Sequence, residues 1–256
     1  MDVRALHAAA AAGVTVSIIT GRLYSGTRAS AERIGVRGPV GCADGSHVVN
    51  AADHATLVHH GLRGAHSLSM RDSLMRHGAA GFLFAGDAIV HDAAGEVYLG
   101  YVRTWSNDVR RAEKLSEHDL WHADDGITAV VALGSEDQIA RTHAEIEREL
   151  PEAAQVVKFS IKRVAGLWGL VARAAGGTKG SALQWIATHH GFDLDECVCV
   201  GDWFNDVPML SVAGRSFAMG HAPDEVKKVA TDVLEETSEH GGGIARVITE
   251  VFGVRI

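Results

Sequence analysis

Cysteine is scarce in this sequence, since only Cys42, Cys197 and Cys199 occur in 256 residues. The small and odd number excludes a disulfide framework. One residue separates Cys197 from Cys199, so a strand would place both thiols on the same face. We therefore expect all three thiols to be reduced and packed in the core of a cytoplasmic protein, because a free cysteine behaves as a small hydrophobic residue.

Long apolar runs, a signal-peptide pattern, internal repeats and low-complexity linkers are also lacking. Without about 18 consecutive apolar residues, no membrane-spanning helix is expected. Lys and Arg number 24 against 32 Asp and Glu, and the formal charge of -8 argues against a surface built to bind nucleic acid. A small anionic ligand stays compatible, because it needs only a local cluster of donors and cations. The sequence leaves the oligomeric state open.

What is present is an α/β pattern whose strands end in polar residues. Residues 2–12 are alanine-rich with helical spacing and stop at Gly13. Residues 14–19 are mostly apolar and β-branched, which predicts a buried strand of a parallel sheet that ends at Thr20-Gly21-Arg22. Residues 197–200 predict a second such strand, which runs into Gly201-Asp202. In open α/β sheets, ligands bind at the carboxyl ends of the strands.

The middle of the chain has a different texture. Alternating apolar stretches, such as 81–84 and 127–133, are interleaved with helical ones. Residues 135–150 predict a helix with Ser135 as its N-cap and Pro151 as its stop. We therefore expect an α/β core formed by residues 1–47 and 170–256, and an inserted α+β domain over residues 48–169.

The loop after the second predicted strand carries a dense set of polar side chains, Asp202, Asn205 and Asp206. Clustered carboxylates need a compensating positive charge, and Mg²⁺ provides one while it keeps positions for water and substrate phosphate. The alternative is an Asx-rich turn that caps the next helix.

Two further motifs contain groups that bind anions. Lys179 follows Gly176-Gly177-Thr178 at a predicted helix start, where it opposes the helix dipole but can meet an anion beside unpaired N–H groups. The order Lys-Gly-Ser is not that of a Walker A loop. A solvated lysine after a flexible turn is the alternative. Thr20-Gly21-Arg22 offers a hydroxyl and a glycine N–H, although an ordinary turn at a strand end has the same composition.

Together, these motifs resemble those of the haloacid dehalogenase phosphatases, of the Cof type with a type IIB cap. Thr20 is similar to the family's second motif, Lys179 to its third, and Asp202 with Asn205 and Asp206 to its fourth. Residues 211–214, 218–222, 225–230 and 241–245 also follow the family pattern. The resemblance covers nearly the whole chain. It implies a Rossmann-like parallel-sheet core with an inserted α+β cap of the C2B type.

The resemblance also implies an activity and residue roles. The complete protein would be a Mg²⁺-dependent phosphatase that hydrolyses a small phosphorylated metabolite of the sugar-phosphate type through an aspartyl-phosphate intermediate. Thr20 would bind the phosphoryl group, with Gly21 and Arg22 beside it. Lys179 would neutralise that group and the nucleophile. Asp202 would ligate Mg²⁺, Asn205 would contact phosphate, and Asp206 would support the metal directly or indirectly.

The family's first motif, Asp-x-Asp-Gly-Thr, which supplies the nucleophile, is absent from the sequence as given. Cys42-Ala43-Asp44-Gly45-Ser46 imitates part of it but fits better with the family's Asn-Gly-Ala stretch, where Asp44 would contact the substrate. We expect the natural gene to encode, upstream, a strand and loop of roughly 20 residues that bear Asp-x-Asp. The alternative is a catalytically inactive protein that binds a phosphorylated ligand.

Other residues favour structural interpretations. His118 and His122 could share a helix face as metal ligands, but no third ligand stands at sensible spacing, so a solvated or partly packed face is expected. Trp105, Trp121 and Trp168 could line a sugar pocket, although core packing is the expected role.

Overall fold

The alanine-rich start of the chain forms the predicted helix, which ends at Ala11, just before Gly13 adopts a positive φ of 90°. The computed structural model describes residues 1–162 and 164–255. The α-helices are α1 (Asp2–Ala11), α2 (Tyr24–Ile34), α3 (Gly64–Arg76), α4 (Leu99–Val102), α5 (Glu136–Glu149), α6 (Lys179–His190), α7 (Val207–Leu210), α8 (Asp224–Lys227) and α9 (Gly243–Phe252).

The strands are short, and most are followed by a turn or a helix. They are β1 (Pro39–Cys42), β2 (His47–Asn50), β3 (Thr56–His59), β4 (Ala80–Ala85), β5 (Ala88–His91), β6 (Val109–Arg111), β7 (Ala129–Gly134), β8 (Ala154–Ser160), β9 (Trp168–Ala174), β10 (Val198–Gly201), β11 (Arg215–Ala218) and β12 (Asp232–Val233).

The chain divides into two units. The first comprises Met1–Gly21, Arg28–Leu57 and Thr178–Ile256, and the second comprises Arg22–Thr27 and Val58–Gly177. The predicted boundaries at residues 48 and 169 differ from these limits for a physical reason. The hairpin of β1 and β2 extends the first unit past residue 48. The strand β9 pairs with both β7 and β8, which extends the second unit to Gly177.

The first unit contains two separate three-stranded sheets, in the orders β1-β2-β3 and β10-β11-β12. The second sheet is parallel, as predicted for the strand over residues 197–200. Residues 14–19 do not form the predicted strand and make only an isolated parallel bridge between Ile19 and Gly41. The Gly41 N–H donates to the Ile18 carbonyl and the Thr20 N–H donates to the Gly41 carbonyl, so the pairing with β1 is confined to the end of this segment.

The second unit contains one mixed six-stranded sheet in the order β6-β5-β4-β7-β9-β8. An apolar core of residues from α3, α5 and the sheet includes the fully buried Leu74, Leu83 and Ile139. The predicted helix over 135–150 is confirmed as α5, where Ser135 and Gln138 form a capping box. The second unit is therefore an α+β module, in which α3 and α5 pack on the mixed six-stranded sheet.

The predicted shared helix face of His118 and His122 does not exist. Residues 115–117 and 119–122 form two short 3-10 helices, and His118 lies between them with an extended backbone. Its Nδ1 accepts a hydrogen bond from the Leu120 N–H and so caps the second of them. In the part of the chain that the structure describes, no helix has the length and apolar character needed to span a membrane.

Candidate active site

Thr20 and Gly21 follow the isolated bridge and lie beside the loop after β1. The Thr20 N–H donates to the Gly41 carbonyl at 2.8 Å, and the Asp44 N–H donates to the Thr20 carbonyl at 2.9 Å. A Cβ atom added at Gly21 would lie 3.0 Å from Asp44 Oδ1. The close approach of the two loops therefore favours glycine at this position.

Asp44 links this loop to the loop after β10. Its φ of 55° is in the left-handed region, which aspartate tolerates better than most residues. Asn205 Nδ2 donates to Asp44 Oδ1 at 2.7 Å. The structure thus brings together four of the predicted phosphate-binding residues, namely Thr20, Gly21, Asp44 and Asn205.

Lys179 is the first residue of α6 and is 7% exposed. Thr178 caps this helix through its side chain, which accepts from the Ser181 N–H at 3.1 Å. Lys179 Nζ lies 2.5 Å from Asp206 Oδ1, and Asp206 is only 4% exposed. The solvated-lysine alternative is therefore excluded, because the ammonium group is buried in an ion pair at the helix start.

Asp206 also organises the loop after β10. Its Oδ2 accepts hydrogen bonds from the Asp202 N–H at 2.8 Å and from the Trp203 N–H at 2.9 Å. Both carboxylate oxygens thus have partners within the protein. Of the two roles predicted for Asp206 toward a metal, this geometry favours the indirect one, in which Asp206 holds Lys179 and the backbone that carries Asp202.

The Asp202 side chain is 50% exposed, in contrast to its buried neighbour Asp206. His221 Nε2 lies 3.0 Å from Asp202 Oδ2, and His221 Nδ1 accepts from the Ser238 N–H at 3.3 Å. With Nδ1 as the acceptor, Nε2 carries the proton and donates to Asp202. In the sequence, His221 stands out only as a member of the family pattern over residues 218–222. No spacing rule pairs it with Asp202.

The donor chemistry at Asp202 suits a hard cation. Mg²⁺ is commonly held by one or two carboxylates together with water and substrate phosphate oxygens. In the described ranges, no group of three or more His, Cys, Asp or Glu side chains is arranged to hold a metal ion. Asp202 therefore fits as one ligand of Mg²⁺, and the remaining positions would need oxygens from other sources.

Other candidate residues lie elsewhere. Arg22 is exposed and belongs to the short segment that clusters with the second unit. Trp121 is buried in the core of that unit, where its indole N–H donates to the Leu115 carbonyl at 2.7 Å. Trp105 packs edge-on against Tyr101. Cys42 is fully buried, which agrees with its expected packing role.

A groove of about 490 Å³ lies within the first unit. Residues 14–17 and Ile19 form one wall, and residues 196–200 form another. Side chains of α1, α6 and α9 also line it, among them Leu6, Ile186 and Ile248. The groove therefore lies between the two segments that were predicted as strands of one parallel sheet, residues 14–19 and residues 197–200.

Backbone groups on both walls point into the groove. The Arg215 N–H donates to the Cys197 carbonyl, and the Met219 N–H donates to the Gly201 carbonyl, so alternate residues of β10 face β11. In a parallel ladder, the peptide groups of Val198 and Val200 must then face the other way. The Gly41 N–H donates to the Ile18 carbonyl, so by the same alternation Ile19 presents its peptide groups to the groove.

The groove lowers the polarity around the side chains that line it. Burial raises the pKa of the Cys199 thiol from its ordinary value of 9.0 to about 12, with smaller contributions from the charges of Asp206 and Cys197. Burial also lowers the pKa of His190, which lines the same groove. Both shifts favour the neutral forms, as an apolar environment does.

Residues 1–248 match the family of haloacid dehalogenase-like hydrolases. The chain therefore belongs to this hydrolase family, and the resemblance that the motifs predicted is confirmed. It is 25% identical over 249 residues to the pyridoxal phosphate phosphatase of Escherichia coli, an alignment that covers 93% of this chain and 86% of that protein. It is also 39% identical over 75 residues to a putative phosphatase of Haemophilus influenzae, an alignment that covers 29% of this chain and 28% of that protein.

Solved structures confirm the predicted fold class. A haloacid dehalogenase-like hydrolase from Bacteroides thetaiotaomicron superimposes with a TM-score of 0.82 at 18% identity, and the match covers 98% of this chain and 91% of that one. A sugar phosphatase of subclass IIB superimposes with a TM-score of 0.77 at 19% identity, over 99% and 91% of the two chains. The chain thus has the mixed α/β fold of these hydrolases.

Proposed function

We propose that this protein hydrolyses a small phosphomonoester with Mg²⁺ as cofactor. The observation that carries the proposal is the buried Lys179–Asp206 pair, which ties the start of α6 to the loop that presents Asp202 and Asn205. Such an arrangement positions a cation and hydrogen-bond donors around one point, which is what phosphoryl transfer requires of a protein.

Each residue of the cluster has a separate task in this proposal. The Thr20 hydroxyl, the Gly21 N–H and the Asn205 amide bind phosphoryl oxygens. Lys179 neutralises negative charge on those oxygens and is held in place by Asp206. Asp202 would hold Mg²⁺, which when bound supplies further neutralisation of the phosphoryl oxygens. Asp44 would orient Asn205 through the 2.7 Å hydrogen bond and contact the substrate.

We further propose that a β-strand bearing the family's Asp-x-Asp motif occupies the groove. The apolar lining and the inward-facing peptide groups of Val198, Val200 and Ile19 support a parallel strand between the two walls. Such a strand would end beside Thr20 and Asp202, because parallel strands end at the same edge. The first Asp would attack phosphorus to form an aspartyl phosphate while the second Asp donates a proton to the leaving alkoxide. The second Asp would then take a proton from the water that hydrolyses the aspartyl phosphate and releases phosphate.

The substrate class beyond a small phosphate ester also remains a proposal. The sugar-phosphate type is one prediction. Pyridoxal phosphate is another compound to test, because the Escherichia coli relative named for it aligns over 93% of this chain.

The test is phosphate release by the full natural polypeptide from a panel of sugar phosphates, phosphoglycolate and pyridoxal phosphate. Turnover should require Mg²⁺ and should be abolished in Asp202→Ala, whereas the exposed Asp195→Ala serves as the matched control. Turnover that persists in Asp202→Ala with EDTA present would contradict the proposal. Binding of phosphate esters without any release would favour the inactive binding protein instead.

A further inference from the structure

Two large aromatic side chains follow Asp202 and are half exposed. The exposed fraction is 50% for Trp203 and 51% for Phe204. Single exposed apolar residues are common, but a contiguous pair beside a polar site is typical of a binding surface. Neither side chain is needed to fill the core, so the fold alone does not explain this pair.

The backbone that carries the pair is fixed. The Trp203 N–H donates to the buried Asp206 carboxylate at 2.9 Å, and the Trp203 carbonyl accepts from the Asp206 N–H at 2.9 Å. Residues 204–206 form a short 3-10 helix. The two aromatic residues are therefore held by the same carboxylate that positions Lys179 and Asp202.

The rings also hold each other. The ring centroids of Trp203 and Phe204 are 5.4 Å apart, and their planes are inclined at 74°, which is an edge-to-face contact. Because the planes of the two rings are steeply inclined, a ligand that binds to the pair would contact the flat face of one ring and the edge of the other. This surface is preorganised, so little side-chain freedom is lost when a ligand binds.

The chemistry of the pair selects the kind of group that it can bind. The rings offer a wide apolar area and one indole N–H, and aromatic rings gain from edge-to-face or offset contacts with one another beyond the area that they bury. A flat aromatic ring can stack on one side chain and meet the edge of the other. The neighbours Asp202 and Asn205, on either side of the pair, are the groups proposed to act on the phosphate.

We propose that Trp203 and Phe204 determine specificity by binding the organic part of the substrate, and that this part is a planar aromatic ring. The inference rests on the proposed phosphatase function and narrows its substrate class to aromatic phosphomonoesters. Sugar phosphates would bind through the phosphate contacts alone.

The test compares phenyl phosphate with cyclohexyl phosphate, which have rings of equal size but different flatness, and with inorganic phosphate. Dissociation constants are measured by calorimetry on the full natural polypeptide before Mg²⁺ is added, so that the esters are not hydrolysed during the titration. Phenyl phosphate should bind several-fold more tightly than the other two. Trp203→Ala should remove most of this several-fold preference and leave the affinity for inorganic phosphate within about twofold. Trp185→Ala, which removes another tryptophan of the first unit, is the matched control.

Two results would overturn the inference. One is equal affinity for phenyl and cyclohexyl phosphate in the unaltered protein. The other is an unchanged preference in the double variant with Trp203→Ala and Phe204→Ala. Phosphate release is measured on the same samples. A preference for phenyl phosphate without phosphate release would refute the phosphatase function alone. Phosphate release without a preference for phenyl phosphate would refute this inference alone. If no ester binds, both are refuted.

Discussion

The sheets of the two units differ in how many of their strands have a neighbouring strand on both sides. In the second unit, β4, β7 and β9 each have a strand on both sides, and every residue of β4 and β7 is buried. In the first unit, β10 pairs only with β11, and its residues alternate between buried and partly buried. The second unit is thus held by a closed apolar core, while the first keeps a buried ion pair and an open groove beside the predicted catalytic residues.

The largest effect is expected from breaking the ion pair of the first unit. Lys179→Met leaves the Asp206 carboxylate buried without its cation, which should lower the free energy of unfolding by about 3–5 kcal/mol. The kcat/KM for phosphate release should fall by at least about 10²-fold, because a charge that stabilises the transition state is lost. Urea unfolding and a phosphate assay measure the two effects.

The exposed Lys158→Met serves as the matched control for this substitution, since it removes a lysine of the second unit without a buried partner. An unfolding free energy for Lys179→Met within about 0.5 kcal/mol of the control would show that the buried pair does not stabilise the first unit.

A second substitution tests the closed core of the other unit. Ile139 is fully buried between α5 and the six-stranded sheet, so Ile139→Ala should cost about 2–5 kcal/mol of unfolding free energy. The affinity for inorganic phosphate should not change, because Thr20, Lys179 and Asn205 lie in the first unit. Faster amide exchange in β4 and β7, with β10 unaltered, is the expected pattern. Weaker phosphate binding in this variant would contradict the assignment of the site to the first unit.

The smallest effect concerns the thiol in the groove. The pKa of about 12 for Cys199 keeps its thiol protonated at pH 8, so iodoacetamide should modify it far more slowly than an unfolded cysteine. Because the pKa is raised on folding, the neutral thiol favours the folded state, and this contribution should be lost as the pH rises from 9 toward 12. Mass spectrometry of Cys199 across this range checks both points. Rapid modification at pH 8 would indicate a polar groove.

The sequence predicted those parts of the fold that depend on local signals. The helix over 135–150 follows from its cap at Ser135, and the motif residues Thr20, Asp44, Lys179 and Asn205 fall in the first unit as expected. The prediction of a strand over residues 14–19 was wrong, because β-branched composition favours a strand only where tertiary pairing supports it, and this segment pairs with β1 only near its end. The shared helix face considered for His118 and His122 does not form, because a spacing of four residues does not by itself establish a helix.

The contacts that join distant segments could not be predicted in the same way. Asn205 and Asp44 are 161 positions apart, and the role of Asp206 as partner of Lys179 depends on how α6 packs beside the loop after β10. His221 binds Asp202 only because β11 delivers it to that loop. Residue spacing along the chain encodes none of these distances.

We propose that the groove receives a strand that carries the nucleophile and completes the site around Lys179 and Asp202. The most direct measurement compares phosphate release by residues 1–256 alone with release by the full natural polypeptide, on the same esters with Mg²⁺. Because that strand would carry the nucleophile, residues 1–256 alone should release no phosphate, and turnover should appear only when an Asp-x-Asp strand is present. Turnover by residues 1–256 alone that is lost in Asp202→Ala would contradict it.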